Sequence, residues 1–345
     1  MKSSRVALLI LQTLLGLALL AAWARAVDLR EVGRTLGQAR WTLVLLAAAI
    51  GLSGSLVRSV RWRMILRPVA LVPLLDLWLI SMASSLVNFV IPVRSGEVAR
   101  GLLLKQRHKV SIATSLPTVA VDRSFDLLAV LMLVAAGALL GVRLEGELSA
   151  VLVVGGIVLL AFALFVILAI WARSYLMLVA ERLMPRFIGP SLRQRLLGIL
   201  EGLITGFTTI GRRPRDLASL LGLSMAAALI DASMFYYLFV SVGAVLPPAV
   251  VVTGYSLFVV TFLVPGAPGY VGSMEAFGSL IFGALGAGQA LAASIVVLYH
   301  ALNAIILGLS GSAAMWVLGF SPAAAFRSTA GAPEPDLARP AETDS

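Results

Sequence analysis

Asn88-Phe89-Val90-Ile91-Pro92-Val93-Arg94-Ser95-Gly96-Glu97 sets a proline, an arginine and a glutamate directly after a hydrophobic run. Val264-Pro265-Gly266-Ala267-Pro268-Gly269-Tyr270-Val271-Gly272-Ser273-Met274-Glu275 repeats the device far downstream. Both stretches pass from an apolar segment through Pro and Gly into Ser-x-Glu, with a further apolar segment behind. In a chain that lives in lipid, broken backbone is tolerated only where protein or a water-filled cavity surrounds it, so the two breaks point to a site.

Composition makes this a membrane chain. Its 345 residues are 60% hydrophobic and 13% charged, with a mean hydropathy of +0.99, which is more apolar surface than a soluble fold of this size can bury. With no cysteine and two histidines, His108 and His300, neither a disulfide nor a metal centre is expected. No phosphate-binding GxxxxGK[ST] loop, dinucleotide fingerprint or nucleophilic triad is visible, so no cofactor, no catalytic residue and no nucleic-acid partner is expected.

Apolar runs long enough to cross a bilayer fall near 6–24, 41–57, 111–140, 150–171, 217–245 and 289–318. Three more, 69–91, 249–264 and 270–286, abut the breaks. Basic residues favour the cytoplasmic side, and they cluster as Arg58, Arg61, Arg63, Arg67; as Arg94, Arg100, Lys105, Arg107, Lys109; and through 173–215. A full crossing by 69–91 would put the first two clusters on opposite faces. A hairpin over about 69–107 that turns at Pro92–Ser95 reconciles them, and 249–286 then becomes a second hairpin entered from the other face.

The expected fold is therefore an all-α polytopic membrane protein of about six full transmembrane helices plus two oppositely oriented re-entrant hairpins, with an inverted repeat as one reading. The membrane domain spans 1–320, with a basic, partly amphipathic cytoplasmic surface segment at 173–215. Residues 321–345, rich in Ala, Pro and acidic groups, read as a disordered cytoplasmic tail. Both termini are expected in the cytoplasm, the first apolar run as an uncleaved anchor. Segment 25–40 resists the pattern, carrying four arginines on the outer side. Its Val27, Val32 and Leu36 can share one face of an interfacial helix.

Asp122, Arg123 and Asp126 lie inside an apolar span, Asp122 some ~16 Å in at ~1.5 Å per residue. Facing lipid, each would cost at least ~2.5 kcal/mol, so they face protein or water. Asp122 and Asp126 share a helix face, and Arg123 can pair with Asp126. The set reads either as an internal lock between helices or as a site that also touches substrate. Arg94 and Glu97 occupy the first hairpin's tip. Ser95 can cap the returning helix and Glu97 sits in its first turn, while Arg94 beside a helix N-terminus suits a phosphate. Ser273 and Glu275 repeat the arrangement, with capping and function both open for Glu275. Asn88 can bind a headgroup or freed carbonyls. Pro92, Gly96, Pro265, Gly266, Pro268, Gly269 and Gly272 end helices and allow close approach. Asp231 is a further intramembrane charge for which His300 and Asn303 can serve as partners.

The stretches Asn88 to Arg100, Ser115 to Asp126 and Pro265 to Ala276 resemble the lysylphosphatidylglycerol synthase transmembrane region, a flippase-like family, over roughly residues 5–320. Ala267 and Pro268 depart from the family's more glycine-rich form. The resemblance implies translocation of a phospholipid or lipid-linked headgroup between leaflets of a bacterial-type inner membrane. Two-part members carry a soluble synthase domain after the membrane region; this sequence stops in a short polar tail, so lysyl transfer is not implied. Arg94 and Arg123 would then hold an anionic phosphate, and Glu97, Asp122, Asp126 and Glu275 a cationic or hydroxyl-bearing headgroup. The expected partners are membrane lipids with an anionic or lipid-linked headgroup, with a synthase or glycosyltransferase partner and a homodimer left open. A membrane transferase, a non-transporting partner of such an enzyme and an ion-coupled transporter are the alternatives.

Overall fold

A computed structural model describes residues 2–91, 95–143, 147–183, 189–211, 213–263 and 266–319. Pro92, Arg94, Pro265 and the tail 321–345 lie outside them. Helix is the only regular structure among the described residues: α1 Lys2–Ala26, α2 Leu29–Gly37, α3 Trp41–Leu66, α4 Leu74–Val90, α5 Ser95–His108, α6 Ile112–Leu139, α7 Glu147–Trp171, α8 Arg173–Leu183, α9 Pro190–Gly211, α10 Pro214–Ser241, α11 Pro248–Thr261, α12 Ser273–Phe282 and α13 Gln289–Val317. The fold is that of an all-α membrane protein. Its outer faces carry exposed apolar side chains such as Leu14 and Leu15 on α1, Leu45 on α3, Leu160 and Leu164 on α7 and Leu309 on α13, the pattern of helices solvated by lipid.

Among the described residues, α3, α10 and α13 are long and apolar enough to cross a membrane, and α1 with α2, bent by 85°, makes a fourth span if taken together. α6 has the length, 28 residues, but Asp122, Arg123 and Asp126 occupy its middle. α2 begins where Asp28 accepts hydrogen bonds from the amides of Arg30 and Glu31, satisfying donors that a helix start leaves free. Val32 and Leu36 share a face of α2, and Val27 in the bend before it joins them. That face packs on Ala293 of α13 and Trp23 of α1 rather than lying against lipid headgroups.

α3 and α10 form an antiparallel central pair. The Arg40 amide bonds to the Ser241 carbonyl at 2.8 Å, Gly54 lies against Asp231 and Ile230, and Arg61 reaches Ser224 at 2.8 Å. Glycines at such crossings let backbones approach. The two ends of α3, the Arg40 end and the Leu66 end, orient everything else.

α4 and α5 are antiparallel. Gly96 sits against Asn88 and the Ser84 carbonyl, Arg100 reaches Ser81, and Asp76 meets Arg107 and His108. This pair opens at the Leu66 end, where Val72, Leu77, Leu103 and Leu104 join Trp62 and Leu66 in one apolar cluster. α11 and α12 are also antiparallel, Gly254 facing Phe282 and Gly278 facing Phe258. That pair opens at the opposite end, where Val251 and Ala287 cluster with Ala39 and Leu238. α13 runs the length between them, from Ala293 beside α2 to Ala314, Met315 and Leu318 beside α4 and α5. Around Phe235, rings of Phe258, Phe282, Tyr255 and Tyr299 stand with centroids 4.4–5.7 Å away, locking α10 to α13 together.

The segment 173–215 is more than a surface strip. Ile204 and Phe207 of α9 are buried with Val121 and Phe125 of α6, and Gly202 lies against the ring of Pro117. Its apolar face had a packing partner on α6 that local composition does not reveal.

Gly272, φ +82°, stands against the backbone of α1 at the Gly16 carbonyl. Gly272→Ala adds a side chain in the left-handed region and drives its Cβ into that backbone, so it should lower stability by roughly 2 kcal/mol or more. Thermal unfolding in detergent measures this.

Candidate functional site

Asp122 is fully buried, and both of its oxygens are held: Oδ1 by Arg61 Nε at 2.9 Å and Oδ2 by Arg100 Nη1 at 2.9 Å. Arg61 also donates to Ser224 and, through Nη2, pairs with Asp126 at 2.8 Å. Arg100 donates to Ser81 at 2.9 Å, and its guanidinium lies 3.8 Å from the centre of the Trp62 ring, a cation–π contact. Trp62 in turn donates to Thr118. Five helices, α3, α4, α5, α6 and α10, thus converge on one carboxylate.

The network continues outward. Arg58 pairs with Asp126 at 3.6 Å and with Asp231, which also accepts from the Tyr255 hydroxyl at 2.8 Å. Arg123 pairs with Asp126 at 3.2 Å and with Glu97 at 3.5 Å. Four guanidiniums, Arg58, Arg61, Arg100 and Arg123, face four carboxylates, Glu97, Asp122, Asp126 and Asp231, so the set carries no formal net charge. Neutrality is what lets it sit at membrane depth. It has two zones. Arg61, Asp122 and Arg100 are sealed, whereas Arg123 is 49% exposed and Glu97 26%, an edge that can meet a ligand.

Several sequence expectations change here. Arg58, Arg61 and Arg100 are not flanking cytoplasmic charges. Carboxylates on α6 and α10 give them interior partners, leaving Arg63, Arg67, Lys105, Arg107 and Lys109 exposed at the Leu66 end. Asp231 is served by Arg58 and Tyr255 rather than by His300 or Asn303. Asp122, with both oxygens engaged by guanidiniums, is an anchor more than a contact surface. The missed signal was the spacing of Arg58 and Arg61, three apart within an apolar helix and so on one face.

The two breaks meet. The Asn88 side-chain amide donates to the Tyr270 hydroxyl at 3.3 Å, while its Oδ1 is buried with no hydrogen-bond partner. Phe89 lies beside Gly269 and edge-on to His300, ring centroids 5.9 Å apart. His300 Nδ1 in turn lies 2.5 Å from Glu275 Oε1. Pro268 opens a short 3₁₀ turn, Pro268–Tyr270. Gly269 at φ +68° and Tyr270 at φ +58° both take the left-handed conformation, uncommon for a residue with a side chain. Gly266 packs against Tyr270 and Ser273.

The serines do not cap by accepting. Ser95 and Ser273 are the first residues of α5 and α12, and their hydroxyls donate back to the carbonyls of Ile91 and Tyr270. Glu275 accepts from the Gly272 amide at 2.8 Å, the reach-back half of a capping box. Glu97, at the matching place in α5, turns to Arg123 instead.

The sequence profile of the lysylphosphatidylglycerol synthase TM region matches residues 6–311, and the chain belongs to that family. Among curated proteins, Glycosyltransferase AglD of Haloferax volcanii is 26% identical over 346 residues, covering 90% of this chain and 54% of that protein. The chain thus spans about half the length of this relative. No solved structure matches. Family membership places the chain among membrane proteins of lipid-related function.

Asp122→Asn leaves Arg61 and Arg100 buried with one carboxylate fewer between them. Breaking a buried pair from one side costs about 3–5 kcal/mol, so this variant should melt far below wild type in detergent, with Glu97→Gln at the exposed edge close to wild type.

Proposed function

We propose that the chain translocates a phospholipid or lipid-linked headgroup between the two leaflets of a bacterial-type inner membrane. The observation that carries this reading is the pair of antiparallel helix hairpins opening at opposite ends of the molecule, with tips touching at Asn88 and Tyr270. A headgroup moving between leaflets needs a polar place near the midplane reachable from each face in turn, and oppositely entering broken helices provide it. The exposed edge of the charge network supports the same reading. Arg123 would hold the phosphate, joined on sequence grounds by Arg94, and Glu97 and Asp126 would meet hydroxyls or a cation, while acyl chains stay in lipid. Asp122 positions Arg61 and Arg100 rather than touching the headgroup. The exposed basic residues at the Leu66 end favour that end as cytoplasmic.

The name carried by the Haloferax relative favours a second reading, a membrane transferase acting on a lipid-linked acceptor. Glu97 is then the general base, since Asp122 is tied to two guanidiniums. It predicts a covalent lipid product from acceptor and activated donor, which the translocation reading does not.

Leaflet exchange of labelled phospholipid and lipid-linked sugar in proteoliposomes tests the proposal. Arg123→Ala and Glu97→Gln each remove a charge-assisted contact worth about 1.5–3 kcal/mol, so exchange should slow roughly tenfold or more. Exchange at the wild-type rate in both variants would remove the proposed site.

A further inference from the structure

The network edge leaves one interior titratable cluster unused. Glu275 and His300 sit where both hairpin tips meet. His300 stands eleven residues into the 29-residue α13, some ~16 Å along it and near mid-depth. The other histidine, His108, pairs with Asp76 at the Leu66 end.

We propose that the Glu275–His300 pair is a proton-binding site that carries a proton through the membrane and couples lipid translocation to a proton gradient, an inference that rests on the translocation reading. Three observations carry it. First, the pair is buried, Glu275 6% exposed and His300 13% on its side chain, so its charge state is felt strongly. With the shared proton, as carboxylate and imidazolium or as acid and imidazole, the pair is neutral. Without it the pair carries a full negative charge in a low-dielectric place, eased by the Gly272 amide at the N-terminus of α12 and by the N–H of a neutral imidazole. Second, both carboxylate oxygens have structural work: Oε1 faces the imidazole and Oε2 holds the Gly272 amide that starts α12. A change of charge therefore acts directly on the second tip. Third, the imidazole contacts Phe89 at the first tip, so the same event reaches both hairpins. Imidazole is the side chain that exchanges protons near neutral pH.

Neighbouring donors have partners of their own. α1 brings Trp23, which donates to Ser279; α4 brings Asn88 and Phe89; Tyr270 is engaged by Asn88. Across α13, Tyr299 packs on Phe235 and Phe258, and beyond it Arg58, Asp231 and Tyr255 pair among themselves. Losing the proton thus leaves a negative charge on Glu275 at the start of α12, against the uncharged Phe89 and Asn88 side, which favours opening of this junction to water, and regaining the proton restores the neutral, closed contact. One proton taken from the water at one face is released at the other.

The test uses the full chain in vesicles loaded with a pH-sensitive dye, with labelled phospholipid in the bilayer and acid added outside. Wild type should admit protons several-fold faster than protein-free vesicles and exchange lipid several-fold faster with the gradient than without. Glu275→Gln keeps an acceptor for the Gly272 amide and His300→Gln keeps a polar side chain; both should lose the gradient response. Proton entry no faster than in protein-free vesicles, or undiminished in both variants, overturns the proposal, and the wild-type comparison needs no variant to fold. Lipid exchange that ignores the gradient removes this inference alone, whereas absence of lipid exchange under every gradient removes the translocation reading and the coupling with it.

Discussion

Asp122 is a carboxylate at membrane depth, and an ionised carboxylate there cannot be left to itself. Moving it out of water costs several kcal/mol even after the surroundings relax, and only close opposite charges with good geometry offset that. Arg61 and Arg100 supply them from α3 and α5, Ser224 and Ser81 each accept one further guanidinium N–H from α10 and α4, and Trp62 covers the Arg100 face. The requirement fixes where five helices sit relative to one another. The Arg100–Asp122 pair joins apolar packing in placing the α4–α5 hairpin in the bundle, and the edge formed by Arg123 and Glu97 lies beside this sealed part.

The two hairpins answer a different constraint. A helix that stops inside lipid leaves backbone donors and acceptors unmet, so its end must lie against protein. Here each broken end meets the other. Tyr270 reaches Asn88, Phe89 reaches His300, and Glu275 closes the start of α12. The consequence is an internal polar junction between elements that open toward opposite faces. The left-handed backbone at Tyr270 belongs to this junction, where tertiary contacts hold a conformation the residue alone disfavours.

Much of the architecture was readable one residue at a time. Apolar runs marked α1, α6, α7, α10 and α13 within a few residues but stopped at 57 where α3 continues past Arg58, Arg61 and Arg63 to Leu66, Pro and Gly marked both breaks, and the clustering of basic residues pointed to a turn near Pro92. The site was less legible. Arg123 and Asp126 could be paired from their spacing, but Arg58, Arg61 and Arg100 were grouped with surface charges because they stand near other arginines in the chain. The partner of Asp231 lies 173 residues away in Arg58, and that of Glu275 lies in α13. α9 looked like a surface helix because its packing face is matched by Pro117 and Val121, which nothing nearby announces.

The sequence alone determined that this is an all-α membrane chain, that helices break near Asn88 and near Tyr270, and that Asp122, Arg123, Asp126 and Asp231 lie at membrane depth, because hydropathy and backbone breakers act locally. Tertiary structure alone decided which of those charges are sealed and which reach an open edge, that the two breaks touch, and that a glutamate and a histidine meet at the junction. Those outcomes depend on pairings between residues far apart in the chain, and only the packing of one helix against another decides which arginine meets which carboxylate.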